Sequence, residues 1–201
     1  RVMRVVARRD LPPIHVERVR GVIGRGARAM VDQAMVLHGK PASEKELDDL
    51  VGSFLGHYRR DIATHSRPYP GAMEAVSQLK ESGVRVAICT NKYEDMSVAL
   101  LEELNILHEF EMVAGSDTDP VKKPDAGHLT LTLEKICGDP GRAVMVGDSI
   151  TDVLAARNAK IPIIGVSFGY TETPMADLEP DILIDHMEEL WGATRRLIDL
   201  K

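Results

Sequence analysis

The sequence predicts an α/β protein, with a parallel sheet covered by helices on both faces and preceded by a small all-helical domain. Three observations predict it. After residue 66, short β-branched runs alternate with helical patterns of about 10–15 residues, the rhythm of strands joined by crossover helices. Residues 1–66 contain no convincing strand. Between the two halves lies "SRPYPG", Ser66 to Gly71, where two prolines in three residues force an extended backbone that the glycine releases. The expected domains are therefore 1–66, helical, and 67–201, α/β.

In the first half, "VERVRGVIGRGARAMVDQAMVLHG" and "SEKELDDLVGSFLGHYRRDIATH" carry apolar residues at spacings of three and four, as amphipathic helices do. Ser43 followed by Glu46 forms a capping box ahead of the second. The opening "RVMRVVARRDLPP" reads as the middle of a helix and starts at Arg1, so the true start of the protein is expected to lie upstream. In the second half, "GAMEAVSQLKESG" is a helix with a glycine stop, and "VRVAICT" is a strand fit to be buried on both faces. There follow the helix "EDMSVALLEELNI", the strand "EMVAGS", a helix within "DAGHLTLTLEKICG" and the strand "AVMVGD". The helix "ITDVLAARNA", the strands "IPIIGVSFG" and "DILI", and a last helix in "MEELWGATRRLIDL" complete the series.

The chain has 201 residues, 44% of them hydrophobic and 28% charged, enough for one real core with an accessory layer. A net charge of −6 argues against a generic nucleic-acid binder. The charge is uneven. Arg1, Arg4, Arg8, Arg9, Arg18, Arg20, Arg25 and Arg28 face only Asp10 and Glu17 within residues 1–28, giving +6 there and −12 in the remainder. Such an end can attract an anionic small molecule, although solvated helix faces are the plainer account. No apolar run approaches the ~18 residues of a membrane span. Only Cys89 and Cys137 are present, both in apolar contexts, which predicts no disulfide and a reducing, cytoplasmic location.

In parallel sheets ligands bind beyond the carboxyl ends of the strands, and that rule selects a short list. "VRVAICT" ends in Thr90-Asn91-Lys92, the loop after "EMVAGS" carries Lys122-Lys123-Pro124, and "AVMV" ends in Gly147-Asp148-Ser149 with Asp152 four residues past Asp148. Oxygen ligands at an open rim suit Mg²⁺, which keeps several waters and bridges to phosphate. A lysine and a threonine hydroxyl suit phosphoryl oxygens. Each residue alone also has an ordinary structural job: Thr90 as a helix N-cap, Asp148 and Ser149 as caps, Asp152 offsetting a helix dipole.

"ICTNK", "KKPDAGHL" and "VGDSITDVLAARNA", in that order, resemble motifs two, three and four of the haloacid dehalogenase superfamily. The helical half followed by "SRPYPGAMEAV" resembles that superfamily's phosphoglycolate phosphatases with their helical cap. The resemblance implies a Rossmann-like core under an all-helical cap. It implies that Thr90 and the adjoining Asn91 backbone bind a phosphoryl group, that Lys123 neutralises charge on phosphate and nucleophile, and that Asp148 ligates Mg²⁺ with Asp152 supporting the metal site. Lys122 is the less favoured of the two lysines.

One part of the pattern does not occur in the sequence. The family's first motif, D-x-D-G-T, supplies an aspartate nucleophile and a second aspartate as general acid and base from the end of the central strand, upstream of the cap. The only D-x-D here is Asp117-Thr118-Asp119, followed by Pro120 in the loop ahead of motif three, and it reads as a decoy. The first core strand, nucleophile included, is expected to be missing, and a sheet without its middle strand exposes unpaired edges. Gly24-Arg25-Gly26-Ala27-Arg28-Ala29 matches the dinucleotide pattern G-x-G-x-x-A, but the charged "HVERVRGVI" before it is not a strand. Those glycines are expected to shape a cap loop facing the rim, with Arg25 placed either to read a substrate carboxylate or as plain exposed surface. The seven histidines show no ligand spacing.

The expected function is a Mg²⁺-dependent phosphatase for a small phosphorylated metabolite, 2-phosphoglycolate foremost, acting as monomer or homodimer without nucleic-acid or membrane partners. Residues 1–201 alone are expected to be inactive for want of the nucleophile. The alternative is a non-catalytic relative that binds a phosphorylated metabolite or a partner protein.

Overall fold

The computed structural model describes residues 11–198 except Pro13, Tyr170 and Glu172, with nothing said of the side chains of Val16, Glu17 and Arg20. The helix expected within residues 1–10, and with it Arg1, Arg4, Arg8 and Arg9, lies outside the described residues.

The first long apolar pattern is two elements, not one: a 3-10 segment, Val16–Arg25, and helix α1, Ala27–Leu37. They part at Gly26, whose φ of 93° is open only to glycine at low cost. Helix α2, Glu44–Arg60, begins as its capping box requires: the Ser43 side chain accepts from the Glu46 N–H and the Glu46 carboxylate accepts from the Ser43 N–H at 3.0 Å. Arg28 of α1 bridges to Glu44 and Asp48 of α2. Between these elements Val31, Ala34, Met35, Leu47, Leu50, Val51 and Phe54 are buried with Leu11, Ile14 and Val19 as one hydrophobic cluster.

Five short strands follow: β1 Ile88–Cys89, β2 Val113–Ala114, β3 Met145–Gly147, β4 Ile163–Val166 and β5 Ile182–Ile184. All pairings are parallel. The helices between and after them are α3 Ala72–Glu81, α4 Glu94–Glu103, α5 Ala126–Lys135, α6 Ile150–Ala159 and α7 Leu190–Leu197. Strand β4 shows why the apolar run "IPIIGV" has no polar alternation. Ile163 packs with Leu129, Val153 and Ala156 on the α5/α6 side, while Ile164 and Val166 pack with Ala75, Leu79 and Leu190 on the α3/α7 side. Each such isoleucine, buried to 1% exposure or less, contributes about 1.5–3 kcal/mol.

The sheet is divided. Strands β1 and β2 form one ladder and β3-β4-β5 another. Cys89 of β1 and Met145 of β3 pack against the same α5/α6 cluster, so the two ladders share one layer. Their neighbouring edges, β1 and β3, have no strand partner among the described residues. Val146, in the middle of β3, is accordingly 36% exposed where a central strand would be covered. No helix among the described residues is long and apolar enough to cross a membrane.

Candidate active site

Lys123 is the hub of the rim. Its side chain is 7% exposed, and its Nζ donates to the Cys89 carbonyl at the end of β1 (2.6 Å) and to Asp152 Oδ1 at the start of α6 (2.7 Å). The ammonium therefore ties together the two ladder ends that no strand bridges. Lys122, its neighbour, is exposed. Adjacent to the Cys89 carbonyl, Thr90 turns its Oγ1 back to accept the Lys92 N–H at 3.2 Å. Thr90 is thus a turn residue at the rim and not a helix cap; the N-cap of α4 is Tyr93. Burial pushes the Cys89 thiol above its ordinary range, with the Lys123 charge acting in the opposite sense.

Asp152 sits three residues past Ser149, the N-cap of α6, with both carboxylate oxygens engaged. Oδ1 takes the lysine, while Oδ2 accepts from the Asp148 N–H (3.1 Å), the Ser149 N–H (3.0 Å) and Ser149 Oγ (2.7 Å). The structural job foreseen for Asp152, at the head of the helix, and its place beside Lys123 are therefore one arrangement. Asp148, half-buried, is set by that turn and by Gly169: a Cβ on Gly169 would stand 2.1 Å from Asp148 Cβ.

The helical layer reaches the same rim through Gly24. The Gly24 carbonyl accepts from Asn91 Nδ2 at 3.0 Å and from Thr151 Oγ1 at 3.3 Å. Asn91 Nδ2 also donates to the Lys123 carbonyl at 3.0 Å, and its buried Oδ1 has no hydrogen-bond partner. A Cβ on Gly26 would lie 2.8 Å from the Asn91 carbonyl oxygen. The two glycines thus touch the loops bearing Asn91 and Ser149, and Arg25 between them is exposed. Gly24 lies within the 3-10 segment Val16–Arg25 and no strand precedes it among the described residues, so the dinucleotide geometry is not seen there. A second bridge lies nearby, where Lys92 Nζ donates to the Tyr58 hydroxyl and Arg59 pairs with Asp95 at 2.9 Å.

Thr90, Asn91, Lys123, Asp148 and Asp152 are thus brought together by strand ends far apart in sequence. The decoy is occupied elsewhere: Asp117 Oδ1 accepts the Glu94 N–H at the start of α4, and Asp119 pairs with Lys135 at 2.6 Å. Ser149, expected as a cap, is the N-cap of α6. His128 was not singled out by the sequence; it is fully buried behind the Lys123 loop.

As a magnesium site the described residues are incomplete. Both Asp152 oxygens accept protein donors, Oδ1 one and Oδ2 three, and no group of three His, Cys, Asp or Glu side chains that could hold a metal occurs among the described residues. The candidate ligands there are Asp148 and Asp152.

The parallel strands between helices are a fold of known class: residues 2–160 match the haloacid dehalogenase-like hydrolase family, to which the chain belongs. Within that family it is similar to enzymes named phosphoglycolate phosphatase. The one from Agrobacterium fabrum is 44% identical over 188 residues, 94% of this chain and 81% of that protein. The one from Caulobacter vibrioides is 41% identical over 180 residues, 90% of this chain and 76% of that protein. The crystal structure of a predicted phosphoglycolate phosphatase from Haemophilus somnus superimposes with a TM-score of 0.87 at 27% identity, covering 96% of this chain and 88% of that one.

Proposed function

We propose that the protein is a Mg²⁺-dependent phosphatase for a small organic phosphomonoester, 2-phosphoglycolate foremost, working through an aspartyl phosphate whose aspartate lies on a strand upstream of Arg1. The observation that carries this reading is the Lys123 ammonium, buried between the Cys89 carbonyl and Asp152 where β1 and β3 end side by side. A strand inserted between those two edges would deliver a carboxylate to the same spot. Similarity to phosphoglycolate phosphatases over nine-tenths of the chain supports the substrate class.

In this reading Thr90 and the Asn91 backbone hold the phosphoryl oxygens, and Lys123 offsets their charge and that of the nucleophile. Phosphoryl transfer gains most from such positioning and charge stabilisation. Asp148 is the metal ligand, joined by carboxylates of the upstream strand, and Asp152 supports the site through hydrogen bonds. Bound magnesium would supply charge neutralisation at the phosphate. Residues 1–66 act as the cap, which excludes water and selects substrate. Arg25 is placed by its two glycines to read the substrate carboxylate.

The test is hydrolysis of 2-phosphoglycolate with Mg²⁺ by the protein extended upstream of Arg1, beside residues 1–201. Turnover by the extended form, with little or none from residues 1–201, is the expected outcome. Robust turnover by residues 1–201 would overturn the assignment of the nucleophile and make Asp117 the first residue to mutate. The lack of a D-x-D-G-T in the sequence favours a second reading, a non-catalytic binder of a phosphorylated metabolite. An extended form that binds 2-phosphoglycolate without hydrolysing it would establish that reading instead.

A further inference from the structure

His128 is the third residue of α5, and a side chain in the first helical turn leans back over the residues before the helix. It has no exposure to solvent. Its Nδ1 accepts the backbone N–H of Lys123, five residues upstream, at 3.2 Å. Its own carbonyl accepts from Thr132 Oγ1 at 2.6 Å and from the Cys89 thiol at 3.7 Å, which fixes the base of the ring to β1 and α5.

Counting the polar groups of Lys123 shows what the ring does. The ammonium is held by Cys89 and Asp152, the carbonyl by Asn91, and the N–H by His128. The anchors come from three chain segments: the end of β1 with the loop after it, α5 and α6. Without the imidazole the Lys123 N–H would be a buried donor with no partner, which is costly in a site closed to water. Only one protonation state serves. A nitrogen that accepts cannot carry a proton, so the ring is neutral with its hydrogen on Nε2, a buried atom with no hydrogen-bond partner among the described residues.

We propose that His128, as the neutral Nε2-protonated tautomer, is a positioning residue that sets the Lys123 backbone and through it the place of the ammonium at the rim. This rests on the reading of Lys123 as the phosphate-facing cation. The electrostatic surroundings agree. Burial disfavours the imidazolium most, and the Lys123 charge disfavours it further, while Asp119 and the backbone of Ala114 and Gly115 act in the opposite sense; the net effect holds the ring below its ordinary range.

The decisive experiment is nitrogen NMR of the histidine rings in residues 1–201, together with titration of inorganic phosphate. The His128 ring is expected to show an unprotonated Nδ1 and a protonated Nε2 at neutral pH, and to take up its second proton at a lower pH than an exposed imidazole does. An Nδ1-protonated or doubly protonated ring at neutral pH overturns the proposal. His128→Asn keeps an acceptor close to the Nδ1 position, whereas His128→Leu fills similar space without one. The asparagine variant should keep the slow exchange of the Lys123 amide and bind phosphate within a few-fold of the parent. The leucine variant should lose both, with phosphate binding weakened about tenfold, the equivalent of one buried hydrogen bond. Equal behaviour of the two variants overturns the proposal, and the spectrum of the parent still decides it if the leucine variant does not fold. A parent with the expected tautomer whose form extended upstream of Arg1 binds no phosphate refutes the phosphatase reading and leaves the tautomer assignment standing.

Discussion

Replacing Asp152 by alanine deletes the one acceptor shared by Lys123 Nζ, the Asp148 N–H, the Ser149 N–H and Ser149 Oγ. The side chains of Lys123 and Asp152 are 7% and 6% exposed, so water cannot take the lost place. Breaking a buried ion pair from one side costs about 3–5 kcal/mol, and losing the head of a helix about 1 kcal/mol more, the two overlapping in part. For a chain of this length about 4 kcal/mol corresponds to a fall in melting temperature of roughly 10 °C. The assay is thermal and urea denaturation followed by circular dichroism on D152A, K123M and the double variant. Removing both partners leaves no stranded ammonium, so the double variant should be less destabilised than the sum of the singles by about 2–3 kcal/mol. Single losses that add within about 0.5 kcal/mol, or a D152A penalty below about 1 kcal/mol, would show that the pair is not the joint between β1 and α6 described above.

Gly169→Ala drives a methyl group into Asp148; it should cost about 1–3 kcal/mol in denaturation and lower the kcat of the extended enzyme at least about tenfold. Arg25→Ala should raise KM for 2-phosphoglycolate about tenfold while leaving hydrolysis of a phosphomonoester without a carboxylate nearly unchanged, as measured by phosphate release. Because the folded state holds His128 below its ordinary value near 6.5, its contribution to stability is fully present above that pH. It is lost as pH falls through the folded-state value, where the unfolded chain has already taken up the proton. Denaturation midpoints measured between pH 7.5 and 5 should therefore fall more steeply for the parent than for His128→Asn.

Much of this was legible along the chain because the governing forces are local. The 3.6-residue apolar rhythm of α2 and its Ser43–Glu46 box, the apolar run that became β4, and the turn residues at Ser66–Gly71 each speak through neighbouring side chains and backbone; the double burial expected of "VRVAICT" is not seen, since β1 is only half-buried. The break at Gly26 was not foreseen, because apolar spacing runs through it and only a positive φ reveals it. The choice between Lys122 and Lys123 needed the motif's order, while the structural difference between them, one buried and one exposed, depends on where Cys89 and Asp152 lie.

The sequence by itself determined the elements, their parallel order and the residue types that end up at the strand tips, since periodicity, capping and turn chemistry act over a few residues. Only the tertiary structure decided that Lys123 is held by three separate chain segments, that both Asp152 oxygens accept protein donors, and that a histidine unmarked in sequence stands behind the lysine. Those outcomes turn on burial and on hydrogen bonds between residues dozens of positions apart, and a buried polar group takes its partners from whichever chain segments packing brings within about 3 Å.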